Sequence, residues 1–361
     1  MEAVVIKNAG SHYLLSELPG WKPFPAVLRG KVRLKGSTAT NPVAVGDRVV
    51  FEAAEPSPRQ SAAGSSEAPQ RQQAAALSEA AQLGMSRERD GEDSRSPAII
   101  TEILPRKNYF IRKSTNLSRE AHIIAANLDQ AVIAVSLFFP EIKLPFLDRM
   151  LVTCEVYGVK PVIVLNKVDL YREDAPEYVS DFKHVYEAAG YRVIETSCKT
   201  GEGIDELRDA CKGRLSLFSG ESGVGKSSLI KAVNPSLDPK IGKISTAHLQ
   251  GKHTTSLYEM YPLGLRLPDG GTPEESAPLA SGYLIDSPGL RGFGLVDLEP
   301  EEIALYFPEM LRISKNCRFS PCTHTHEPGC AVKEALERGE LSAERYNSYL
   351  GMLEEDGKFR K

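Results

Sequence analysis

Gly220-Glu221-Ser222-Gly223-Val224-Gly225-Lys226-Ser227 fits the pattern G-x-x-x-x-G-K-[ST] at every fixed position. A strand-like run, Leu215–Ser219, precedes it, and a helical run, Lys226–Val233, begins inside it. In that setting the glycines let backbone N–H groups turn inward around phosphate oxygens, and the helix N-terminus adds a favourable dipole. Lys226 would neutralise charge on the β- and γ-phosphates, and Ser227 Oγ would coordinate Mg²⁺. The stretch predicts a nucleotide site at the end of a buried strand.

Working outward, Asp286-Ser287-Pro288-Gly289 follows the strand-like Gly282–Ile285, 66 residues after Gly220. A carboxylate at a strand end beside a phosphate loop suits the Mg²⁺ shell, and the Gly289 N–H could meet the γ-phosphate. Asn166-Lys167-Val168-Asp169 ends the strand-like Pro161–Leu165. An Asp there accepts two hydrogen bonds from the guanine N1–H and N2–H, whereas adenine offers an acceptor in that place. Asn166 would bridge the loops and the Lys167 stem would lie on the purine. Ser197-Cys198-Lys199, at the end of Tyr191–Thr196, matches the further loop whose backbone N–H meets guanine O6. Together these favour GTP over ATP. The order is unusual, since the guanine motifs precede the phosphate loop, which precedes Asp286. The set is complete but circularly permuted.

The rest of the chain sets the frame. It has 361 residues, 44 Lys+Arg against 48 Asp+Glu, and a net charge of −4, which excludes a uniformly basic coat protein but not a local basic patch. No apolar run approaches the ~18 residues of a membrane span. The N-terminus has no charged-then-apolar signal architecture, so a cytoplasmic address is expected. Six cysteines are too few for a secreted disulfide scaffold. Residues 1–52 alternate short apolar runs (Ala3–Ile6, Tyr13–Leu15, Ala26–Leu34, Arg48–Phe51) with Gly and Pro, the spacing of a small all-β barrel or sandwich. They carry seven Lys/Arg against four acids, which fits a solvated face or a nucleic-acid face equally. Residues 53–98 hold no aromatic residue and read as a disordered insertion, after which Ile99–Leu104 would complete the barrel. From Ile103 to Arg119 five basic residues and no acid surround Tyr109 and Phe110, as suits either an RNA contact or a charged linker with two buried rings. From Asp129 onward, short apolar strands alternate with helical stretches, the pattern of a parallel sheet covered on both faces. Beyond Glu299 the chain reads as helical.

On these motifs the chain resembles the circularly permuted, ribosome small-subunit-dependent GTPases of bacteria. The resemblance runs over nearly the whole length and rests on Asn166–Asp169, Gly220–Ser228, Gly251-Lys252-His253-Thr254-Thr255, Asp286–Gly289 and a cysteine loop near the C-terminus. It implies a multidomain α/β chain: an OB-type β-barrel over 1–105, a permuted P-loop GTPase domain over 106–298, and a helical zinc-binding domain over 299–361. It further implies GTP hydrolysis to GDP, stimulated by the 30S subunit during its late maturation or quality control, with binding to 16S rRNA. A monomer with no membrane contact is expected. The runner-up is a nucleotide-gated rRNA-binding switch, or ribosome-bound inhibitor, with negligible hydrolysis. An insertion over 267–281, rich in Pro, Gly and Glu, leaves every motif residue in place.

Leu290 occupies the position where Ras-like enzymes carry the Gln that orients attacking water. An apolar side chain cannot do this, so slow intrinsic turnover is expected. His253 is the candidate from this chain for the missing group, and the resemblance points the same way. Thr254 or Thr255 would close on Mg²⁺ and the γ-phosphate. Finally, Cys317-x₄-Cys322-x-His324-x₅-Cys330 supplies three thiolates and an imidazole, a set matching closed tetrahedral zinc. His326 could replace His324, although the family spacing favours His324. Asp169→Asn should weaken the preference for guanine over other purine nucleotides in competition binding; an unchanged preference would refute the base assignment.

Overall fold

The computed structural model describes residues 1–29, 43–53, 97–113, 121–235, 258–267, 278–287 and 298–359. Five strands build the N-terminal unit: β1 (Glu2–Ala9), β2 (His12–Ser16), β3 (Phe24–Leu28), β4 (Arg48–Glu52) and β5 (Ala98–Ile103). They pair in the closed circuit β1-β2-β3-β5-β4-β1, antiparallel throughout except for parallel β3 and β5. Among the described residues this is a five-stranded barrel of the OB type that the family resemblance implied, and it settles the turn spacing in favour of a barrel. Alternate side chains point inward, and Val5, Leu15, Val49 and Ile100 are fully buried at its centre. The strand expected over 26–34 instead begins at Phe24 and ends at Leu28, where pairing with β5 stops. Most of the 53–98 insertion lies outside the described residues.

The basic stretch after the barrel is not a linker. It forms β6 (Tyr109–Lys113), paired antiparallel with β7 (Ala121–Ala126). Alternation splits the two rings: Phe110 is 1% exposed and Tyr109 40%. Arg106, read among the surface cations, turns inward onto the fully buried Asp47, with Nε–Oδ1 and Nη2–Oδ2 both 2.6 Å.

The second unit is a parallel sheet. Its strands are β8 (Gln130–Val135), β9 (Lys160–Asn166), β10 (Arg192–Thr196), β11 (Leu215–Gly220), β12 (Glu259–Leu263) and β13 (Gly282–Asp286), ordered β10-β9-β8-β11-β13-β12 with only β12 antiparallel. All of β8 is buried, with Ala131, Ile133 and Val135 facing one helical layer and Val132 and Ala134 the other. Helices α1 (Leu144–Val156) and α2 (Pro176–Ala189) cover the first face through Leu147, Leu151, Phe182 and Tyr186. Helices α3 (Ile204–Cys211) and α4 (Lys226–Val233) cover the second through Leu207, Leu229 and Val233. The sheet continues into the barrel where β12 meets β1 at Glu259 and Lys7, whose side chains form an ion pair of 3.2 Å.

Four helices follow: α5 (Pro300–Ile303), α6 (Pro308–Ser314), α7 (Ala331–Glu337) and α8 (Ala343–Phe359). Their core gathers Ile303, Phe307, Met310, Val332 and Tyr349 around Val152 of α1. The join is also ionic. Arg345 of α8, 1% exposed, donates to Glu309 Oε1 (2.8 Å) and Oε2 (3.1 Å) and to Asp148 Oδ1 of α1 (2.7 Å), with its guanidinium 4.6 Å from the Phe307 centroid. Tyr186 Oη also donates to Asp148 Oδ1 (3.0 Å). Burial raises the Asp148 carboxyl above the usual range, against the opposing pull of Arg345. Removing one partner from such a site leaves an uncompensated buried charge. Arg345→Met should therefore destabilise the chain by about 3–5 kcal/mol in urea unfolding; wild-type stability in this variant would contradict the assignment.

Candidate functional site

The carboxyl ends of β9, β10, β11 and β13 face the same way, so loops distant in sequence meet along one rim, the usual ligand edge of an open α/β sheet. The phosphate loop leaves β11, the central strand of this rim. Gly220 has φ 146°, and a Cβ there would lie 2.2 Å from the Ala134 carbonyl oxygen. Gly225 has φ 96° and opens α4; a Cβ there would strike the Asn166 amide at 2.5 Å. Both positions need glycine, because the loop folds tightly against its neighbours. Ser222, Gly223, Ser227 and Ser228 remain exposed, while Val224 plugs the core beneath them. Glu221 lies 3.7 Å from Lys143 at the start of α1.

Lys226 is buried and donates to the Gly220 carbonyl at 3.1 Å. Burial lowers its pKa and raises that of Asp286, and each charge opposes the shift of the other. Asp286 Oδ1 is buried without a hydrogen-bond partner. An orphaned carboxylate oxygen beside a buried ammonium and an exposed Ser227 hydroxyl fits a hard divalent cation bound to an anionic ligand. Ser287 holds this strand end, donating from Oγ to the Phe218 carbonyl at 2.6 Å.

The guanine motif reaches the phosphate loop directly. Asn166 Nδ2 donates to the Val224 carbonyl at 2.8 Å, and Thr196 Oγ1 fixes its orientation by donating to Asn166 Oδ1 at 3.1 Å. Lys167 adopts a left-handed conformation (φ 65°), and its ammonium donates to the carbonyls of Gly223 (2.7 Å) and Phe139. Its stem therefore lies across the gap between the loops. Asp169 accepts from Ser197 Oγ at 2.6 Å and faces Lys199 Nζ at 4.0 Å. Ser197 Oγ in turn accepts the backbone N–H groups of Lys199 and Thr200, each at 3.2 Å. Cys198 sits half-buried between them, 3.9 Å from Asn166 Oδ1, and burial raises its thiol pKa. Thus Asn166, Lys167, Asp169, Ser197–Lys199, Gly220–Ser228 and Asp286 share one rim. His253, Thr254, Thr255 and Gly289 lie outside the described residues.

A second constellation lies in the C-terminal unit. One ligand atom each from Cys317, Cys322, His324 and Cys330 falls within a cluster no wider than 4.8 Å. His324 Nδ1 is 3.7 Å from Cys317 Sγ and 3.4 Å from Cys330 Sγ, close to the ~3.5–4 Å edges of a tetrahedral zinc site. Burial, reinforced by Cys330 and Cys317 nearby, pushes the Cys322 thiol up to about 12. Burial also lowers the His324 pKa, against the pull of Glu327. A cation at the centre would reverse the penalty on the thiolates, so this Cys₃His set is compatible with zinc. His326 is exposed and outside the cluster. Sequence reasoning missed the support of this loop. Glu327 accepts from the Thr323 hydroxyl and from the backbone N–H groups of Thr323, Thr325 and His326, which holds its pKa low against burial. Tyr346 and Tyr349 of α8 donate to the carbonyls of His324 (2.6 Å) and Thr323 (2.7 Å). The Glu327 contacts are local to the loop, whereas the two tyrosine contacts join residues more than twenty positions apart and leave no local pattern.

A phosphate loop at the middle of this rim, a guanine motif on one side and a buried, unpartnered carboxylate on the other define a circularly permuted P-loop GTPase. The comparisons narrow this class. A sequence model of the RsgA GTPase family matches residues 103–296, and the chain belongs to that family. It is 42% identical over its whole length to the small ribosomal subunit biogenesis GTPase RsgA of Bacteroides fragilis, covering 99% of that protein. It is 41% identical to the protein of the same name from Porphyromonas gingivalis, covering 98% of it. Among solved structures it superimposes on YjeQ from Thermotoga maritima with a TM-score of 0.67, at 28% identity, over 98% of this chain and 97% of that one. YloQ, described as a circularly permuted GTPase, shares the fold with a TM-score of 0.64 at 24% identity, over 100% of this chain and 96% of that one. Among the described residues no helix is long and apolar enough to cross a membrane. Asn166→Ala should orphan the Val224 carbonyl and loosen the two loops, weakening GDP binding roughly tenfold or more in fluorescent-nucleotide titrations; unaltered affinity would show that the link is not needed.

Proposed function

We propose that this GTPase acts in the assembly of the small ribosomal subunit, hydrolysing GTP when it engages the maturing 30S particle. Two things support the reading: guanine and phosphate motifs tied to each other by direct hydrogen bonds, and full-length relatives named for small ribosomal subunit biogenesis. The chain divides into a barrel over 1–105, the GTPase unit over 106–298 and a helical unit over 299–361. The barrel and the helical unit are the arms that meet 16S rRNA. The protein works as a cytoplasmic monomer.

Asp169, held by Ser197, accepts the guanine N1–H and N2–H, and the loop at Cys198 and Lys199 lies against O6. The Lys167 stem covers the purine face. The phosphate loop from Gly220 to Ser228, with Glu221, Ser222, Gly223, Val224 and Gly225 between them, wraps the phosphates with backbone N–H groups. Lys226, buried and hydrogen-bonded to the Gly220 carbonyl, neutralises charge on the β- and γ-phosphates. Ser227 and Asp286 hold Mg²⁺, which supplies charge neutralisation at the β- and γ-phosphates when bound. Gly289 meets the γ-phosphate, and Thr254 or Thr255 closes over it. With Leu290 unable to orient water, His253 does so when the particle fixes its segment. Cys317, Cys322, His324 and Cys330 hold one structural Zn²⁺, which keeps the C-terminal loop rigid.

Turnover measured against 30S concentration tests this reading. We expect slow GTP hydrolysis alone, strong stimulation by 30S subunits, and a roughly hundredfold loss of the stimulated rate in His253→Ala with 30S binding retained. Nucleotide-dependent binding without stimulated turnover would instead support a switch that does not hydrolyse.

A further inference from the structure

The four residues between the clustered Cys317 and Cys322 are all exposed; they begin with Arg318 and Phe319, the latter 46% exposed. The core of the C-terminal unit gathers around Phe307, Met310 and Tyr349, and Phe319 takes no part in it. Yet the loop beneath the ring is well anchored. Its two ends belong to the Cys₃His cluster, and the Arg318 N–H donates to the Gly329 carbonyl at 3.1 Å. The Arg318 stem lies so close to Gly329 that a Cβ there would approach it to 3.2 Å. The Arg318 guanidinium stands over the Phe319 ring, 5.5 Å from its centroid. A ring with a cation on one face keeps its other face for a second planar partner.

Charge indicates what kind of partner. From Met310 to His326 there is no acidic residue, in a chain whose net charge is −4. Arg312, Lys315 and Arg318 within that stretch are all exposed. Arg312 also reaches the end of α2, donating to the Ala188 carbonyl at 2.9 Å. The next acid, Glu327, is occupied by the N–H groups and hydroxyl of its own loop. An exposed aromatic face amid uncompensated cations favours a polyanion with planar groups over a basic protein segment.

We propose that Phe319, backed by Arg318, is a stacking platform for an unpaired RNA base. The inference rests on the reading of this chain as a small-subunit GTPase and names how its C-terminal unit meets RNA. A base inside a duplex has no free face, so the platform selects single-stranded segments.

The test uses the full-length, zinc-loaded protein and a short fluorescein-labelled oligouridine, followed by anisotropy. Phe319→Ala should weaken binding about tenfold or more, and Phe319→Trp should retain it. Zinc content and GDP affinity should match the wild type in both variants. An RNA duplex of the same length should bind more weakly and should not respond to Phe319→Ala. Equal oligouridine affinity in wild type and Phe319→Ala would overturn the proposal, as would no measurable binding by the wild type. Loss of 30S affinity in Phe319→Ala without loss of oligouridine binding would also overturn it, placing the ring against a protein. The underlying functional reading fails by a separate result, namely no stimulation of the wild-type GTPase by 30S subunits.

Discussion

Two donors from one dipeptide hold the nucleotide rim together. Asn166 Nδ2 and Lys167 Nζ donate to the carbonyls of Val224 and Gly223, at 2.8 and 2.7 Å. The guanine and phosphate motifs lie in segments more than fifty residues apart, in the reverse of the usual order. Chain order matters little to a parallel sheet, because what counts is which carboxyl ends are neighbours. With β8 between β9 and β11, the two loops face each other across one strand, and the amide and ammonium close the distance. The required glycine at 225 follows from this contact, since any side chain there would collide with the Asn166 amide.

Permutation also decides what the rest of the chain can feel. Among the described residues the strand carrying Asp286 is the last of the sheet in chain order, and the C-terminal helices are the next elements. Those helices are locked to α1 by Arg345 between Asp148 and Glu309, and Lys143, just before α1, pairs with Glu221 of the phosphate loop. From Arg345 the same helix continues to Tyr346 and Tyr349, which hold the carbonyls of the Cys₃His loop. The phosphate loop and the Cys₃His cluster are thus joined by packed, hydrogen-bonded elements.

Local pattern revealed much of this. The helix from Lys226 to Val233 has the bounds expected from the sequence. The strands bearing Asn166, Thr196 and Asp286 end within a residue or so of expectation. The Cys₃His set was legible because its ligands lie close together in sequence. What escaped depended on distant pairing. Arg106 looks like a surface cation until Asp47, 59 residues away, is buried beside it. Tyr109 and Phe110 looked alike until β7 paired with β6 and alternation put one inside and the other outside. Arg345 shows no mark of burial in its neighbours, because its acids come from two other helices. His253, Thr254 and Thr255 lie beyond the described residues and keep the status of sequence expectations.

The account stands on one claim, that motifs scattered in permuted order form a single guanine-nucleotide site. Hydrogen exchange with a non-hydrolysable GTP analogue and Mg²⁺ tests it directly. Slowed exchange should appear together over 166–169, 197–199 and 220–228, with the same concentration dependence, and the adenosine analogue should leave all three unchanged. Protection confined to the phosphate loop, or equal protection by the adenosine analogue, would contradict it.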